Sequence, residues 1–140
     1  MKKTIIFAAL ALLFIYAGCQ AQENKKAEEA AVSAAKEWLA MVDDGKFGES
    51  WDEAAGIFRG AIPRDQWIKA IQSVKNPLGK TLKRELTSSS SRTTLPGAPD
   101  GEYVVIQFTT SFENKASATE TITPALDKDG TWRISGYYIK

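Results

Sequence analysis

The chain has 140 residues, with 18 lysines and arginines against 17 aspartates and glutamates and a formal net charge of +1. That length suffices for one hydrophobic core, and the interspersed charges offer no basic face for nucleic acid. The complete lack of histidine excludes Ser-His-Asp and Cys-His catalysis and removes the commonest zinc ligand. We therefore predict no metal site, no cofactor, no nucleic-acid partner and no catalytic residue.

The first nineteen residues carry the pattern of an export signal. Lys2 and Lys3 precede an apolar run from Ile5 to Tyr16, which Ala17-Gly18-Cys19 follows. A run of about 12 apolar residues is shorter than the roughly 20 that span a bilayer, and it matches the apolar region of a signal peptide. The pattern predicts a mature domain outside the cytoplasm.

In one interpretation the protein is a lipoprotein. Ala17-Gly18-Cys19 resembles the end of a bacterial lipobox, although Tyr16 stands where an aliphatic residue is usual. Residues 1–18 would then be the signal peptide, and a lipid on Cys19 would hold the protein at a membrane. Gln20 after the cysteine resembles Gram-negative lipoproteins of the outer membrane.

In the other interpretation an ordinary signal peptidase cuts after Ala21. Residues 1–21 would be removed, and the protein would be free in the periplasm. The only cysteine of the chain is Cys19, so the mature domain has no disulfide in either case. Its stability must therefore come from an apolar core.

Helical periodicity begins after residues 19–26, a polar stretch that we interpret as a short tether. Between residues 27 and 44, apolar side chains recur every three or four positions, and Gly45 supplies the C-terminal stop. The stripe comprises Ala27, Ala31, Ala34, Ala35, Trp38, Leu39 and Val42.

Two further helices are expected before residue 79. Ser50 and Glu53 have the spacing of a capping box, which would begin a short second helix. Its apolar face would comprise Phe47, Trp51, Ala54, Ala55 and Phe58. A third helix is expected to begin near Pro63 and to end at Asn76-Pro77. Its stripe comprises Trp67, Ala70, Ile71 and Val74.

From residue 82 the pattern alternates with a period of two, which is typical of β-strands. Arg84 falls in the inward phase of the first strand, and a partly buried arginine requires a partner. Glu120 is its candidate partner, and an anion bound in a pocket is the alternative. Pro124 predicts an edge or a bulge in its own strand. The expected strands are Leu82–Ser88, Glu102–Glu113, Ala118–Leu126 and Thr131–Ile139.

The alternation also assigns the two faces of the expected sheet. On the clearest strand the inward set comprises Val104, Ile106, Phe108 and Phe112. On the last strand Trp132, Ile134, Gly136 and Tyr138 share one face. The face opposite the core would then carry an apolar patch of Tyr103, Val105, Tyr137 and Ile139.

Three helices followed by four consecutive strands predict an α+β fold, with N-terminal helices packed on a four-stranded antiparallel sheet. A long helix lying in a curved sheet has the shape of cystatin-like or nuclear-transport-factor-2-like folds. We expect one domain over residues 27–140.

This mature domain resembles the bacterial domain-of-unknown-function 4019 (DUF4019) family. The most specific element is residues 95–103, from Leu95-Pro96-Gly97 to Glu102-Tyr103. The other matching elements are Trp38-Leu39, Val42-Asp43-Asp44-Gly45, Ser50-Trp51, Gln66-Trp67, Pro77-Leu78-Gly79 with Arg84, Glu120-Thr121-Ile122-Thr123 and Gly136-Tyr137-Tyr138-Ile139. Members often carry arginine where this chain has Lys75. The resemblance implies no established activity.

Several residues are candidates for a ligand site. Trp38, Trp51 and Trp67, with Phe108 and Arg84, would line an aromatic pocket between the first helix and the sheet. The alternative is that the tryptophans belong to the core, since aromatic side chains dominate the cores of small domains. Asp43 and Asp44 are either a functional carboxylate pair or two solvated acids at a helix end.

These observations leave three functions open. The first is a non-catalytic envelope module that binds a small apolar ligand or a protein partner. The second is a structural subunit that forms a homodimer through its outer sheet face. The third is an enzyme that uses one buried carboxylate in an apolar pocket.

Overall fold

The computed structural model describes the backbone of residues 5–140 and the side chains of residues 18–140. The predicted n-region at Lys2 and Lys3 lies outside the described residues. The helices are α1 (Ile5–Asp43), α2 (Phe47–Asp52), α3 (Gly56–Ala61) and α4 (Arg64–Leu78), and the strands are β1 (Thr81–Arg92), β2 (Tyr103–Phe112), β3 (Lys115–Leu126) and β4 (Trp132–Ile139). The predicted α+β fold class with a four-stranded antiparallel sheet is confirmed.

Helix α1 is continuous over 39 residues. Residues 19–26, interpreted from the sequence as a polar tether, are exposed and helical, so they extend the helix by about 12 Å. The predicted apolar stripe packs on the sheet, where Ala31, Ala35 and Leu39 are fully buried. Gly45, with a φ of +75°, ends the helix as expected.

The expected second helix is instead two short helices, α2 and α3. The chain leaves the helical conformation at Ala55, whose N–H donates to the Ile134 carbonyl of β4 at 2.9 Å. The predicted capping box is wrong, because Ser50 lies inside α2 and is fully buried. Its hydroxyl donates to the Phe47 carbonyl at 2.7 Å, so it does not cap the helix.

Helix α4 begins after Pro63, as expected, but its buried stripe differs from the prediction. Val74 is 43% exposed, whereas Lys75 is buried, because the Lys75 ammonium pairs with a carboxylate on α1. Pro77 lies in the last turn, and the helix ends only before Gly79, which has a φ of +74°.

The sheet has the strand order β1-β2-β3-β4. The predicted inward face of β2 is confirmed, since Val104, Ile106, Phe108 and Phe112 are all buried. Val104, Ile106 and Phe108 form one core cluster with the stripe of α1 and the aromatic rings of α3 and α4.

The predicted phase of β4 is correct at Ile134, which is buried, but wrong beyond it. A register shift lies between Thr123 and Pro124, which pair with Gly136 and Ile134. Proline has no N–H for the ladder, and a bulge forms beside it with its extra residue in β4 rather than in the strand of Pro124. Beyond the bulge Tyr137 turns toward the core, where its ring lies 5.3 Å from that of Trp38. Tyr138, expected inside, is 50% exposed.

The apolar patch predicted for the outer sheet face does not form as expected. Tyr137 faces the helices, and Tyr103 is only 5% exposed. The Tyr103 hydroxyl donates to the Pro99 carbonyl at 2.6 Å, so the loop between β1 and β2 covers this ring. Of the four predicted residues, only Val105 stays partly exposed on the outer face, because Ile139 lies on the same face as Tyr137, opposite the buried Glu120.

Candidate functional site

The predicted site residues Trp38 and Trp67 lie in one aromatic cluster of the core, and Trp51 lies at its edge. The rings of Trp38 and Trp67 lie 5.8 Å apart, and Phe58 contacts both, at 6.4 and 5.0 Å. Trp51 is partly buried and packs against this core. The rings occupy the space between the helices and the sheet in which the sequence predicted a pocket.

The indole N–H groups of these tryptophans are all used inside the protein. Trp38 donates to the Ser50 carbonyl at 2.7 Å, and Trp67 donates to the Ser50 hydroxyl at 3.0 Å. Trp51 donates to the Ile62 carbonyl at 2.8 Å. Phe108, the fourth aromatic candidate, is 1% exposed. Their geometry matches the alternative of a packed core, because buried indoles normally find an internal acceptor.

Arg84 is the centre of a buried ion-pair network. Its Nε donates to Glu120 Oε1 at 2.7 Å and its Nη1 to Asp43 Oδ2 at 2.7 Å. Its Nη2 reaches both carboxylates, at 3.2 Å for Glu120 and 3.1 Å for Asp43. The Arg84 side chain is 14% exposed, and that of Glu120 is fully buried. The predicted pairing of Arg84 with Glu120 is confirmed.

The fully buried Glu120 carboxylate has further donors. The Thr110 hydroxyl of β2 donates to Oε1, and the Tyr137 hydroxyl of β4 donates to Oε2. Since Arg84 lies on β1 and Glu120 on β3, the network includes a side chain from every strand. No buried polar side-chain atom within residues 18–140 lacks a hydrogen-bond partner.

A second cation completes the network beside Asp43. Lys75 Nζ donates to Asp43 Oδ1 at 3.1 Å and lies 4.5 Å from the centroid of the Phe112 ring. The Thr81 hydroxyl donates to the same Asp43 oxygen at 2.8 Å. Two cations therefore balance two anions, and Asp43 joins the end of α1 to α4 and β1. Its neighbour Asp44 is exposed, so the two aspartates do not act as a pair.

The network shifts the pKa values of Asp43, Arg84 and Tyr137. Burial acts to raise the pKa of Asp43, but hydrogen bonds and charge from Arg84, with help from Thr81 and Lys75, hold it below its usual range. Burial acts to lower the pKa of Arg84, but hydrogen bonds to Asp43 and Glu120 outweigh this effect and raise it. Burial, reinforced by Glu120, raises the pKa of Tyr137 far above its usual range. At neutral pH Arg84 and Asp43 are charged, and Tyr137 keeps its proton.

Trp132 differs from the other tryptophans, and only its inward phase on β4 was predicted from the sequence. It is half-buried at the start of β4. It is the one tryptophan whose indole N–H has no acceptor among the described residues. Trp132 lines two grooves.

The larger of these two, which we call the Trp132 groove, measures about 370 Å³. It lies where α1 leaves the sheet, between Asn24 on the helix, Arg92 at the end of β1 and Glu102 before β2. Tyr103 and the hydroxyls of Ser91, Thr93 and Thr94 complete its lining. Neither Arg92 nor Glu102 forms an ion pair with another side chain of residues 18–140.

Cys19, the predicted lipidation site, is exposed on the same helix. It precedes Asn24 by five positions, which corresponds to about 8 Å along the helix axis. Within the described residues, no helix combines the length and the hydropathy needed to cross a membrane. No cluster of three potential metal ligands occurs among those residues either.

Comparison with known proteins identifies one family. Residues 34–137 match the family described as "Protein of unknown function (DUF4019)", which is the family suggested by the sequence motifs. No curated protein matches the chain. The match covers α1 from Ala34 onward, the buried network, Trp132, strands β1 to β3 and most of β4. The chain therefore belongs to the DUF4019 family.

Proposed function

We propose that this protein is an exported, non-catalytic binding module of the cell envelope, and that its binding site is the Trp132 groove. The observation that carries the proposal is the contrast between the two polar regions of the domain. The groups of the Arg84 network are all engaged with one another. In the Trp132 groove, by contrast, Arg92 and Glu102 form no ion pair and the Trp132 indole N–H has no acceptor within residues 18–140.

This contrast favours binding over catalysis. A catalytic acid or base must exchange a proton with substrate, whereas Glu120 is fully buried and accepts hydrogen bonds from Arg84, Thr110 and Tyr137. The network is better suited to holding the helices on the sheet. The enzyme alternative is therefore the less favoured proposal.

The self-association alternative also receives less support. With Tyr137 turned inward and Tyr103 covered, the apolar side chains left on the outer sheet face are the half-exposed Tyr138 and the partly exposed Val105. Thr87 and Thr109 share a hydrogen bond of 3.0 Å across two strands there. Such a face is well solvated, so it provides little apolar area for a stable homodimer.

The proposed location depends on the N-terminal signal and on Cys19. We propose that residues 1–18 are removed and that a lipid on Cys19 anchors the protein, with its domain in the periplasm and its lipid in the outer membrane. The exposure of Cys19 supports this proposal. The unbroken helix between Cys19 and the domain would keep the domain close to the bilayer.

Expression of the full chain in a Gram-negative host tests the anchor. Wild-type protein should fractionate with outer membranes, and its mass should include a diacylglyceryl group. The Cys19→Ser variant should accumulate as a precursor or appear in the soluble fraction, because a serine hydroxyl cannot replace the thiol that takes the lipid. Gln20→Ser is a matched control that keeps the thiol. A wild-type chain that begins at Gln22 without lipid would contradict the anchor and support the free periplasmic form.

A further inference from the structure

We infer that the Trp132 groove docks on the membrane surface and takes the zwitterionic headgroup of phosphatidylethanolamine. This inference rests on the proposed anchor at Cys19 for its location. Its chemistry stands separately on the side chains that line the groove. The position of the groove, its charges and its aromatic side chains each support it.

The position of the groove follows from the unbroken helix α1. Asn24 lines the groove and lies five residues after Cys19, so the two are about 8 Å apart along the axis. The headgroup layer of a bilayer is roughly 5–8 Å thick on each side. Because no loop interrupts the helix between Cys19 and Asn24, a lipid on Cys19 would hold the Asn24 side of the groove within about 8 Å of the attachment point, a distance comparable to the thickness of this layer.

The charges of the groove select the class of headgroup. The Arg92 guanidinium lines one part of the groove, and its only hydrogen bond within the described residues goes to the Ser91 carbonyl at 3.2 Å. The Glu102 carboxylate lines the same groove without an ion-pair partner in that part of the chain. A phosphate suits the guanidinium, and an ammonium suits the carboxylate. Phosphatidylethanolamine carries both groups, whereas a purely anionic headgroup leaves Glu102 facing a like charge.

The aromatic side chains fit the membrane interface. Tryptophan and tyrosine are enriched at the headgroup level, since each joins an apolar ring to a polar hydrogen-bonding group. Trp132 is half-buried, and its indole N–H has no acceptor among residues 18–140. It can therefore donate to a phosphate or ester oxygen of a lipid, which the internally bonded indoles of Trp38, Trp51 and Trp67 cannot do.

The experiment is fluorescence quenching of the mature protein reconstituted into vesicles. One set contains phosphatidylethanolamine and phosphatidylglycerol in equal parts, and the other contains phosphatidylglycerol alone. Both contain a trace of lipid with a nitroxide on its headgroup. We expect stronger quenching in the first set. Trp132→Phe should abolish this difference, whereas Trp51→Phe, which removes an indole that does not line the groove, should preserve it.

Two charge variants test the headgroup assignment. Arg92→Gln should weaken quenching in both sets of vesicles, because the phosphate loses its guanidinium. Glu102→Gln should remove the preference for phosphatidylethanolamine while the protein stays folded, since both side chains lie at the exposed surface. Equal quenching of the wild type in both sets, or stronger quenching after Glu102→Gln, would show an anionic surface contact and overturn the inference.

The mass of the same sample separates this inference from the anchor. If Cys19 carries lipid and Trp132 is not quenched, the docking is wrong while the anchor stands, and the groove serves another ligand such as a glycan. If Cys19 carries no lipid, the anchor is wrong. Titration with soluble dihexanoyl phosphatidylethanolamine then decides the chemistry: a saturable shift of the Trp132 indole N–H resonance supports headgroup recognition, and an unchanged resonance overturns it.

Discussion

Arg84 on β1 and Glu120 on β3 are joined by hydrogen bonds of 2.7 and 3.2 Å although strand β2 lies between them. The Arg84 side chain crosses β2 on the helix face of the sheet. Its guanidinium Nη1 also donates to Asp43 at the end of α1. One side chain thus connects two non-adjacent strands with the long helix. The position of α1 on the sheet is consequently fixed by charge pairing as well as by apolar packing.

Loss of the guanidinium should be strongly destabilising. Arg84→Met would leave the fully buried Glu120 without its cation. Removing one partner of a buried ion pair lowers the free energy of unfolding by about 3–5 kcal/mol. Urea denaturation followed by circular dichroism measures the loss. Arg64→Met is the matched control, because Arg64 pairs with Asp52 at the exposed surface; its midpoint should barely move. Equal midpoints for the two variants would contradict a structural role for Arg84.

Acid should weaken the fold through Asp43. Because its folded pKa lies below its unfolded value, the folded state binds fewer protons, and the carboxylate stabilises the protein above the unfolded pKa of about 3.9. That contribution is lost as the pH falls through the folded pKa. The free energy of unfolding should therefore drop below about pH 4, and Asp43→Asn should flatten this drop more than the control Asp44→Asn. Parallel curves for both variants would exclude Asp43 as the group responsible.

The sequence predicted those parts of the fold whose signals are local. Alternation on β2 correctly identified the buried face from Val104 to Phe112, and helical spacing identified the stripe of α1. Predictions failed where a distant contact decided the outcome. Ser50 has the spacing of a helix cap, but it is buried in the core, where it accepts hydrogen bonds from the indoles of Trp38 and Trp67. Lys75 is buried because it pairs with Asp43 on α1.

The same difference between local signals and distant contacts applies to the candidate sites. The inward phase of Arg84 was sufficient to predict an acidic partner, since burial of an unpaired cation is unfavourable. The Trp132 groove was not predicted, because residues far apart in the sequence, from Asn24 to Trp132, line it together. A bulge at Pro124 also shifts the phase of β4, and the period-two pattern alone does not show on which residue such a shift falls.

The tryptophans should separate into structural and binding groups. Trp67→Ala should lower the free energy of unfolding by about 3–5 kcal/mol, the usual cost of removing a buried tryptophan, and this is a large part of a small domain's stability. Trp132→Ala should cost less, because Trp132 is only partly buried at the edge of the core, whereas Trp67 is 6% exposed. Thermal melts of both variants test this order. If Trp132→Ala proved the more damaging, its ring would be a core element and the groove an unsuitable binding site.

The Tyr137 hydroxyl should contribute measurably to the network. Tyr137→Phe keeps the ring that packs on Trp38 but removes one donor to the Glu120 carboxylate. A hydrogen bond to a charged group is worth about 1.5–3 kcal/mol, and the loss should appear at every pH near neutrality, since burial and Glu120 keep the pKa of this tyrosine far above its usual range. Tyr138→Phe, the adjacent change at a half-exposed ring, is the control and should leave the urea midpoint unchanged. Indistinguishable midpoints would show that the remaining donors, Arg84 and Thr110, satisfy Glu120 without Tyr137.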